Sequence, residues 1–274
     1  MNRLSGRVAL VTGGGRGIGL SLTRKLAAEG AHVLVNDLDA GEAEAAARAI
    51  TDAGGKAIAL PGNVTATDFP SRFIGAALRE FGDIHILVNN AGYIWNGPLH
   101  KISDEQWQAI QDVHLNAPFR ILRELRSFLD ARVAEERKSG KIIHRKIVNV
   151  SSVSATGGAA GQANYAAAKA GLHGLTRSLA REWGPLAVNV NCVAFGYIET
   201  RLTQEIKGET TVMIEGAARR VGLTRPMIDA VKERTALGRA GSPDEAAGGI
   251  FLFCIPESDY VTGQILEVSG GLAR

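Results

Sequence analysis

Val8-Ala9-Leu10-Val11-Thr12-Gly13-Gly14-Gly15-Arg16-Gly17-Ile18-Gly19 is the stretch that decides the fold. A short apolar run stops at a threonine, a glycine-rich turn follows, and residues 21–29 then take up helical spacing. Glycines at such a turn let the backbone approach a phosphate closely. The helix that opens there offers free N–H groups and the positive end of its dipole. Strand, glycine turn, helix and second strand in this order are the context of a dinucleotide site, with Gly13, Gly15, Arg16, Gly17, Ile18 and Gly19 as its expected contacts. A plain tight turn is the competing reading.

Working outward, short apolar runs at 31–36, 57–60, 84–88, 146–150, 188–193 and Ile265–Val268 alternate with alanine- and leucine-rich helical stretches such as 42–52 and 166–183. Strands that are apolar on both faces and separated by helices imply a parallel sheet covered on both sides. The expectation is a doubly wound α/β fold of about seven strands. No Pro/Ser linker or repeat interrupts the chain, so residues 1–274 are expected to form a single domain. Residues 131–146 carry both charge signs and are expected to lengthen a helix and its exit turn. Residues 204–234 lack a strong period and are expected to form an irregular flap, with a small hairpin leading into a helix near 226–232.

A formal net charge of +3 with no block of like charges argues against nucleic acid as a partner. No apolar stretch reaches the ~18 residues of a membrane span. Cys192 and Cys254 sit in apolar surroundings, as buried thiols of a reducing compartment would. A cytoplasmic location is expected. The six histidines are scattered without ligand spacing, so no metal is expected.

Asp37 ends the second strand, eighteen residues after Gly19. A carboxylate there accepts hydrogen bonds from the adenine-side ribose and repels a 2′-phosphate, which favours NAD. Arg16 could instead attract that phosphate, so NADP remains the alternative. Asn63-Val64 and Asn90-Ala91-Gly92 fall at C-terminal strand ends, where open α/β sheets bind ligands. For Asn90, tying strands together is as good a reading as contacting cofactor.

Tyr165 and Lys169 stand four residues apart, on one helix face, thirteen residues after Ser152. A phenol ordinarily ionises near pH ~10, and a neighbouring ammonium favours its phenolate. The pair is therefore expected to exchange a proton with an alcohol or ketone near neutral pH.

Thr12-Gly13-x-x-x-Gly17-x-Gly19, Asn89-Asn90-Ala91-Gly92, Ser152 and Tyr165-x-x-x-Lys169 in this order resemble the short-chain dehydrogenases/reductases over almost the whole chain. The stretch 161–171, together with Tyr260-Val261-Thr262-Gly263-Gln264, is similar to the 3-oxoacyl carrier-protein reductases. The resemblance implies a Rossmann fold and a homotetramer. It also implies roles: Tyr165 exchanges a proton with the substrate oxygen, Lys169 lowers the tyrosine pKa and holds the nicotinamide ribose, and Ser152 stabilises the reacting oxygen. It places Gly196, Ile198 and Thr200 against the nicotinamide, and Tyr93, Trp95 and the flap around the substrate. Phe195 stands where the family usually has proline, either facing the substrate or packing.

His114 departs from the family pattern, which places an asparagine in this Val-x-Leu context; Asn116 lies on another helix face. Histidine can carry a proton at physiological pH, so His114 is a candidate member of the proton relay. A hydrogen-bonded core histidine is the alternative. The expected activity is hydride transfer between NAD(H) and a ketone or secondary alcohol, foremost a 3-oxoacyl or 3-hydroxyacyl thioester. The alternatives are an NADPH-dependent 3-oxoacyl carrier-protein reductase, whose acidic partner Arg145 and Lys146 would meet, and a non-catalytic NAD sensor or scaffold.

Overall fold

The computed structural model describes residues 2–201, 203–205, 211–214, 217–220 and 222–273. The first half runs β1 (Val8–Val11), α1 (Gly17–Ala28), β2 (His32–Val35), α2 (Ala40–Asp52), β3 (Lys56–Ala59), α3 (Phe69–Phe81) and β4 (Ile86–Asn89). Then come α4 (Asp104–Gln111), a π-helical turn (Asp112–Asn116), α5 (Ala117–Lys138), β5 (Arg145–Ser152), the short α6 (Ser154–Gly157), α7 (Ala163–Trp183) and β6 (Val188–Phe195). The chain closes with β7 (Thr211–Ile214), β8 (Ala217–Arg220), α8 (Arg225–Arg234), α9 (Pro243–Phe251) and β9 (Ile265–Val268).

Seven strands pair in parallel in the order β3-β2-β1-β4-β5-β6-β9, which is the expected doubly wound Rossmann-type sheet. Strand β1 shows why both faces are covered. Val8 and Leu10 join Phe69, Phe73 and Leu125 beneath α3 and α5, while Ala9 and Val11 join Leu22, Leu26 and Ile250 beneath α1 and α9. Alternate residues of a strand point to opposite faces, so a run apolar at every position needs helices on both sides.

The order reverses between β1 and β4, and the C-terminal strand ends open a crevice there. Strand β5 runs two residues past its apolar stretch, with Ser151 and Ser152 in register with Ala194 and Phe195 of β6. Ser152 thus sits on the last rung of a parallel ladder.

The charged segment 131–146 lengthens a helix and its exit turn as expected, and only its last two residues belong to a strand. Helix α5 ends at Lys138, an exit turn follows, and Arg145 and Lys146 begin β5. Both are buried, with 1% and 3% exposure, at the N-terminal end of the sheet, so they cannot meet a partner at the crevice. In the expected flap, β7 pairs antiparallel with β8 and α8 follows. Positions 206–210, 215–216 and 221 of that segment lie outside the described residues. Among the described residues no helix is long and apolar enough to cross a membrane.

Candidate active site

The glycine turn delivers β1 into α1 under steric pressure. A Cβ on Gly19 would lie 1.9 Å from the Gly13 carbonyl oxygen, so only glycine lets the first turn of the helix fold back on the loop. No side chain caps the N terminus of α1, whose first-turn N–H groups are left for another acceptor. Across the opening, a Cβ on Gly17 would meet only the Thr200 methyl, at 4.0 Å. An uncapped helix start beside an open cradle fits a bound dinucleotide phosphate.

Asp37 is 7% exposed and closes β2 over this loop. Its carboxylate accepts from the Gly15 N–H (3.1 Å) and the Asp39 N–H (3.2 Å). Arg16 lies 3.7 Å from Asp37, 3.1 Å from Asp39 and 3.8 Å from Glu42. Its buried Nε has no hydrogen-bond partner among the described residues. Arg201 reaches the same group; burial and the Arg16 charge lower its pKa, while Asp37, Glu42 and Asp39 oppose that shift. Arg201 escaped the sequence reading because it belongs to a loop more than 160 residues from Asp37.

The exit of β4 is tied to the glycine loop. The Asn90 amide donates to the Thr12 and Gly13 carbonyls (3.0 and 2.9 Å), and the Thr12 hydroxyl accepts from the Asn90 and Ala91 N–H groups (3.0 Å each). With both amide hydrogens in use, the tying role of Asn90 is the one the geometry displays. The Asn63 side chain accepts from the Thr65 N–H and hydroxyl, and Val64 is buried. Phe195 packs in the core beside Val193 and Ile198. Gly196 donates its N–H to Val268, and Thr200 hydrogen-bonds Thr203. Tyr93 belongs to the core beneath α4 and α5, and Trp95 packs partly buried against it.

Ser152, Tyr165, Lys169 and His114 converge where β5, α7 and the π-helical turn meet. The Ser152 side chain stands close enough to Tyr165 to lower its pKa. Lys169 Nζ lies 5.6 Å from the centre of the Tyr165 ring and donates to the Val150 carbonyl at 2.6 Å. The His114 and Tyr165 rings pack edge to face, with centroids 5.0 Å apart and planes at 87°. Asn116 instead donates to Asp112 at 2.7 Å, away from the group.

Burial dominates the proton affinities here. It pushes the Tyr165 hydroxyl up to about 12, against the lowering effect of Ser152. It pulls Lys169 down to about 8, with only Cys192 opposing. Burial, not the Lys169 charge, sets the direction of the Tyr165 shift here, with the ammonium over the tyrosine ring. His114 is held well below 6.5 by burial and then by the Lys169 charge, against its hydrogen bond to the Tyr93 carbonyl.

The neighbouring serines separate by partner. Ser151 is buried and donates to the Lys169 carbonyl at 3.0 Å, with His173 Nε2 at 2.9 Å. Ser152 donates to the Ser154 hydroxyl (3.2 Å), which donates to Gln162 Oε1 (3.1 Å). This hydroxyl chain was missed because Gln162 precedes the helix without any periodic signal of its own.

The chain matches the family model for short chain dehydrogenase over residues 7–211. It is 38% identical over 269 residues to the 3-oxoacyl-[acyl-carrier-protein] reductase FabG of Vibrio cholerae, covering 98% of each chain. It is also 38% identical over 266 residues to the short-chain reductase protein NovJ of Streptomyces niveus, covering 96% of this chain and 93% of that one. Among solved structures, a gluconate 5-dehydrogenase from Burkholderia cenocepacia in complex with NADP and tartrate matches with a TM-score of 0.84 and 32% identity, covering 99% of this chain and 96% of that one. The chain belongs to the short-chain dehydrogenase/reductase family and is an NAD(P)-dependent oxidoreductase acting on CH–OH groups.

Proposed function

We propose that this short-chain dehydrogenase/reductase is NAD(H)-dependent and interconverts a 3-oxoacyl and a 3-hydroxyacyl thioester, with Ser152, Tyr165 and Lys169 as its catalytic residues. The observation that carries the reading is the convergence of Ser152, at the C-terminal end of β5, with Tyr165 and the buried Lys169 whose ammonium lies over the tyrosine ring. The cofactor, when bound, supplies or accepts the hydride; the chain's residues manage the proton and the developing charge on oxygen.

In reduction, the Tyr165 hydroxyl gives its proton to the carbonyl oxygen. In oxidation the phenolate takes a proton from the alcohol. Ser152, fixed on the last rung of the sheet, stabilises charge on the reacting oxygen. Lys169 holds a ribose hydroxyl and, once the site fills and its charge is needed, favours the phenolate. The glycine loop of Gly13, Gly15, Arg16, Gly17, Ile18 and Gly19 receives the pyrophosphate. Asn63, Val64, Ala91 and Gly92 line the adenine-side wall, and Gly196, Ile198 and Thr200 the nicotinamide side.

Asp37 supports NAD, since a 2′-phosphate would meet a buried carboxylate with Asp39 and Glu42 alongside. NADPH, with a carrier-protein substrate, is the second reading. It is favoured by Arg16 and Arg201 at that same point and by the relative from Vibrio cholerae. A coenzyme A thioester is preferred here because Arg145 and Lys146, the basic residues first considered for an acidic carrier, are buried at the far end of the sheet. We place the enzyme in the cytoplasm as a homotetramer of single-domain subunits, the segment 204–234 acting as a substrate flap. The exposed apolar residues Phe119 and Trp107 support the assembly, which light scattering of the purified protein would measure.

The test is fluorescence titration with NADH and NADPH, followed by turnover of acetoacetyl-coenzyme A. Tighter NADH binding with turnover is expected. Tighter NADPH binding overturns the Asp37 argument, and no turnover of the thioester overturns the substrate class.

A further inference from the structure

His114 is 3% exposed and sits in the π-helical turn between α4 and α5. A π turn inserts an extra residue into a helix and redirects side chains, often at functional sites. Here it turns the imidazole toward the exit of β4. Nε2 lies 2.7 Å from the Tyr93 carbonyl oxygen, which can only accept, so Nε2 carries the hydrogen. Nδ1 is buried and has no hydrogen-bond partner among the described residues. The ring fills space left by the missing side chain of Gly92: a Cβ there would stand 2.2 Å from Cε1 and 2.7 Å from Nδ1. On its other side the ring meets Tyr165 edge to face.

We propose that His114 is a positioning residue, a neutral imidazole locked in its Nε2–H tautomer that wedges between Gly92 and Tyr165 and fixes the Tyr165 ring without carrying a proton. The role rests on the proposed chemistry at Tyr165. One ring nitrogen is spent on a backbone carbonyl, and the other faces the Gly92 backbone. Among the described residues neither nitrogen is hydrogen-bonded to a titratable group. The ionisable groups around it are Tyr93, Tyr165 and the Lys169 ammonium, whose charge further disfavours an imidazolium. Only glycine at 92 leaves room for the ring, so the two positions form one device.

The first test reads the tautomer without any turnover. Nitrogen-15 NMR of the full chain should give His114 a protonated Nε2 and a bare Nδ1, unchanged between about pH 5.5 and 9, the window in which an ordinary histidine titrates. Titration within that window, or a protonated Nδ1, overturns the proposal even if the substrate class is right.

The second test is kinetic, with acetoacetyl-coenzyme A and NADH. His114→Ala should lower kcat about a hundredfold through misplacement of Tyr165. His114→Phe, which restores a ring edge, should recover at least about tenfold of that loss, with the pH–rate profile unmoved in both. A relay requires the phenylalanine variant to be as poor as alanine and a limb of the profile to shift. Gly92→Ala should cost kcat in the wild-type background and add little in His114→Ala, where the wedge is gone. Equal cost in both backgrounds, or a kcat unaffected by His114→Ala, overturns the wedge. If the thioester is not turned over at all, the substrate reading fails while the NMR result still decides the tautomer.

Discussion

The two ends of β5 treat buried charge in opposite ways. At the N-terminal end, Arg145 is among the largest fully buried side chains of the described residues, and each of its three guanidinium nitrogens donates a hydrogen bond. It donates to both Glu136 oxygens (3.0 and 2.7 Å), to Asp83 (3.1 Å) and to the Ile84 carbonyl (3.0 Å), while Arg132 braces Asp83 from outside at 3.0 Å. At the C-terminal end, Lys169 is equally enclosed, at 4% exposure, but has a backbone carbonyl and no carboxylate.

The consequence appears in the proton affinities. Burial alone would raise Asp83, yet His85, the Ile84 N–H, Arg145 and Arg132 outweigh it and keep the carboxylate ionised. Around Lys169 nothing outweighs burial, so the lysine falls to about 8 and Tyr165 climbs to about 12. A matched buried charge network is costly to break, because loss of one partner strands the other; groups held away from their ordinary proton affinities in a crevice are available for reaction.

The largest expected effect breaks the reactive end alone. Tyr165→Phe should lower kcat by about 10³-fold, the scale of acid–base catalysis, while NADH binding and Tm stay close to the parent. The opposite end is broken by Glu136→Gln, which strands part of the Arg145 charge. Urea unfolding should show a loss of about 3 kcal/mol with kcat unchanged in the folded fraction. If Glu136→Gln costs turnover as much as stability, the two ends are not separable.

The pH dependence sharpens the contrast. Lys169 has a folded pKa of about 8, below its ordinary 10.5, so between these values the unfolded chain holds a proton the folded chain has released. Stability of the cofactor-free protein should therefore gain a rising contribution from pH 8 to 10.5, and Lys169→Met should abolish it. Asp83 gives the same sign in an acid window: its folded pKa lies below 3.8, so its contribution is present above that value and fades as pH falls through the folded pKa. Chemical denaturation across both windows, with Asp83→Asn beside Lys169→Met, checks the assignment. A smaller effect is expected from Asp37→Ser, which should narrow the preference for NADH over NADPH by about tenfold, or 1.4 kcal/mol, in fluorescence titration.

Much of the reactive end was legible in the sequence because its signals are local. A glycine turn between strand and helix, and a tyrosine and lysine one helical turn apart, are readable within a few residues. The paired end was not. Arg145 and Lys146 looked like solvated charge, since their partners Glu136, Asp83 and Asp259 come from other elements, up to 113 residues away for Asp259. The π turn was also hidden, as one inserted residue barely disturbs helical spacing. For Tyr165 the sequence placed a cation nearby but could not weigh it against burial, which runs the other way. His114 was seen as a departure, and only the Gly92 backbone beside it shows what the ring fills.

The most direct test of the account compares wild type and Tyr165→Phe in NADH oxidation by acetoacetyl-coenzyme A, with NADH binding measured on the same samples. Turnover by wild type and a fall of about 10³-fold in the variant at equal NADH affinity is the predicted result. Equal turnover in the two proteins would contradict it.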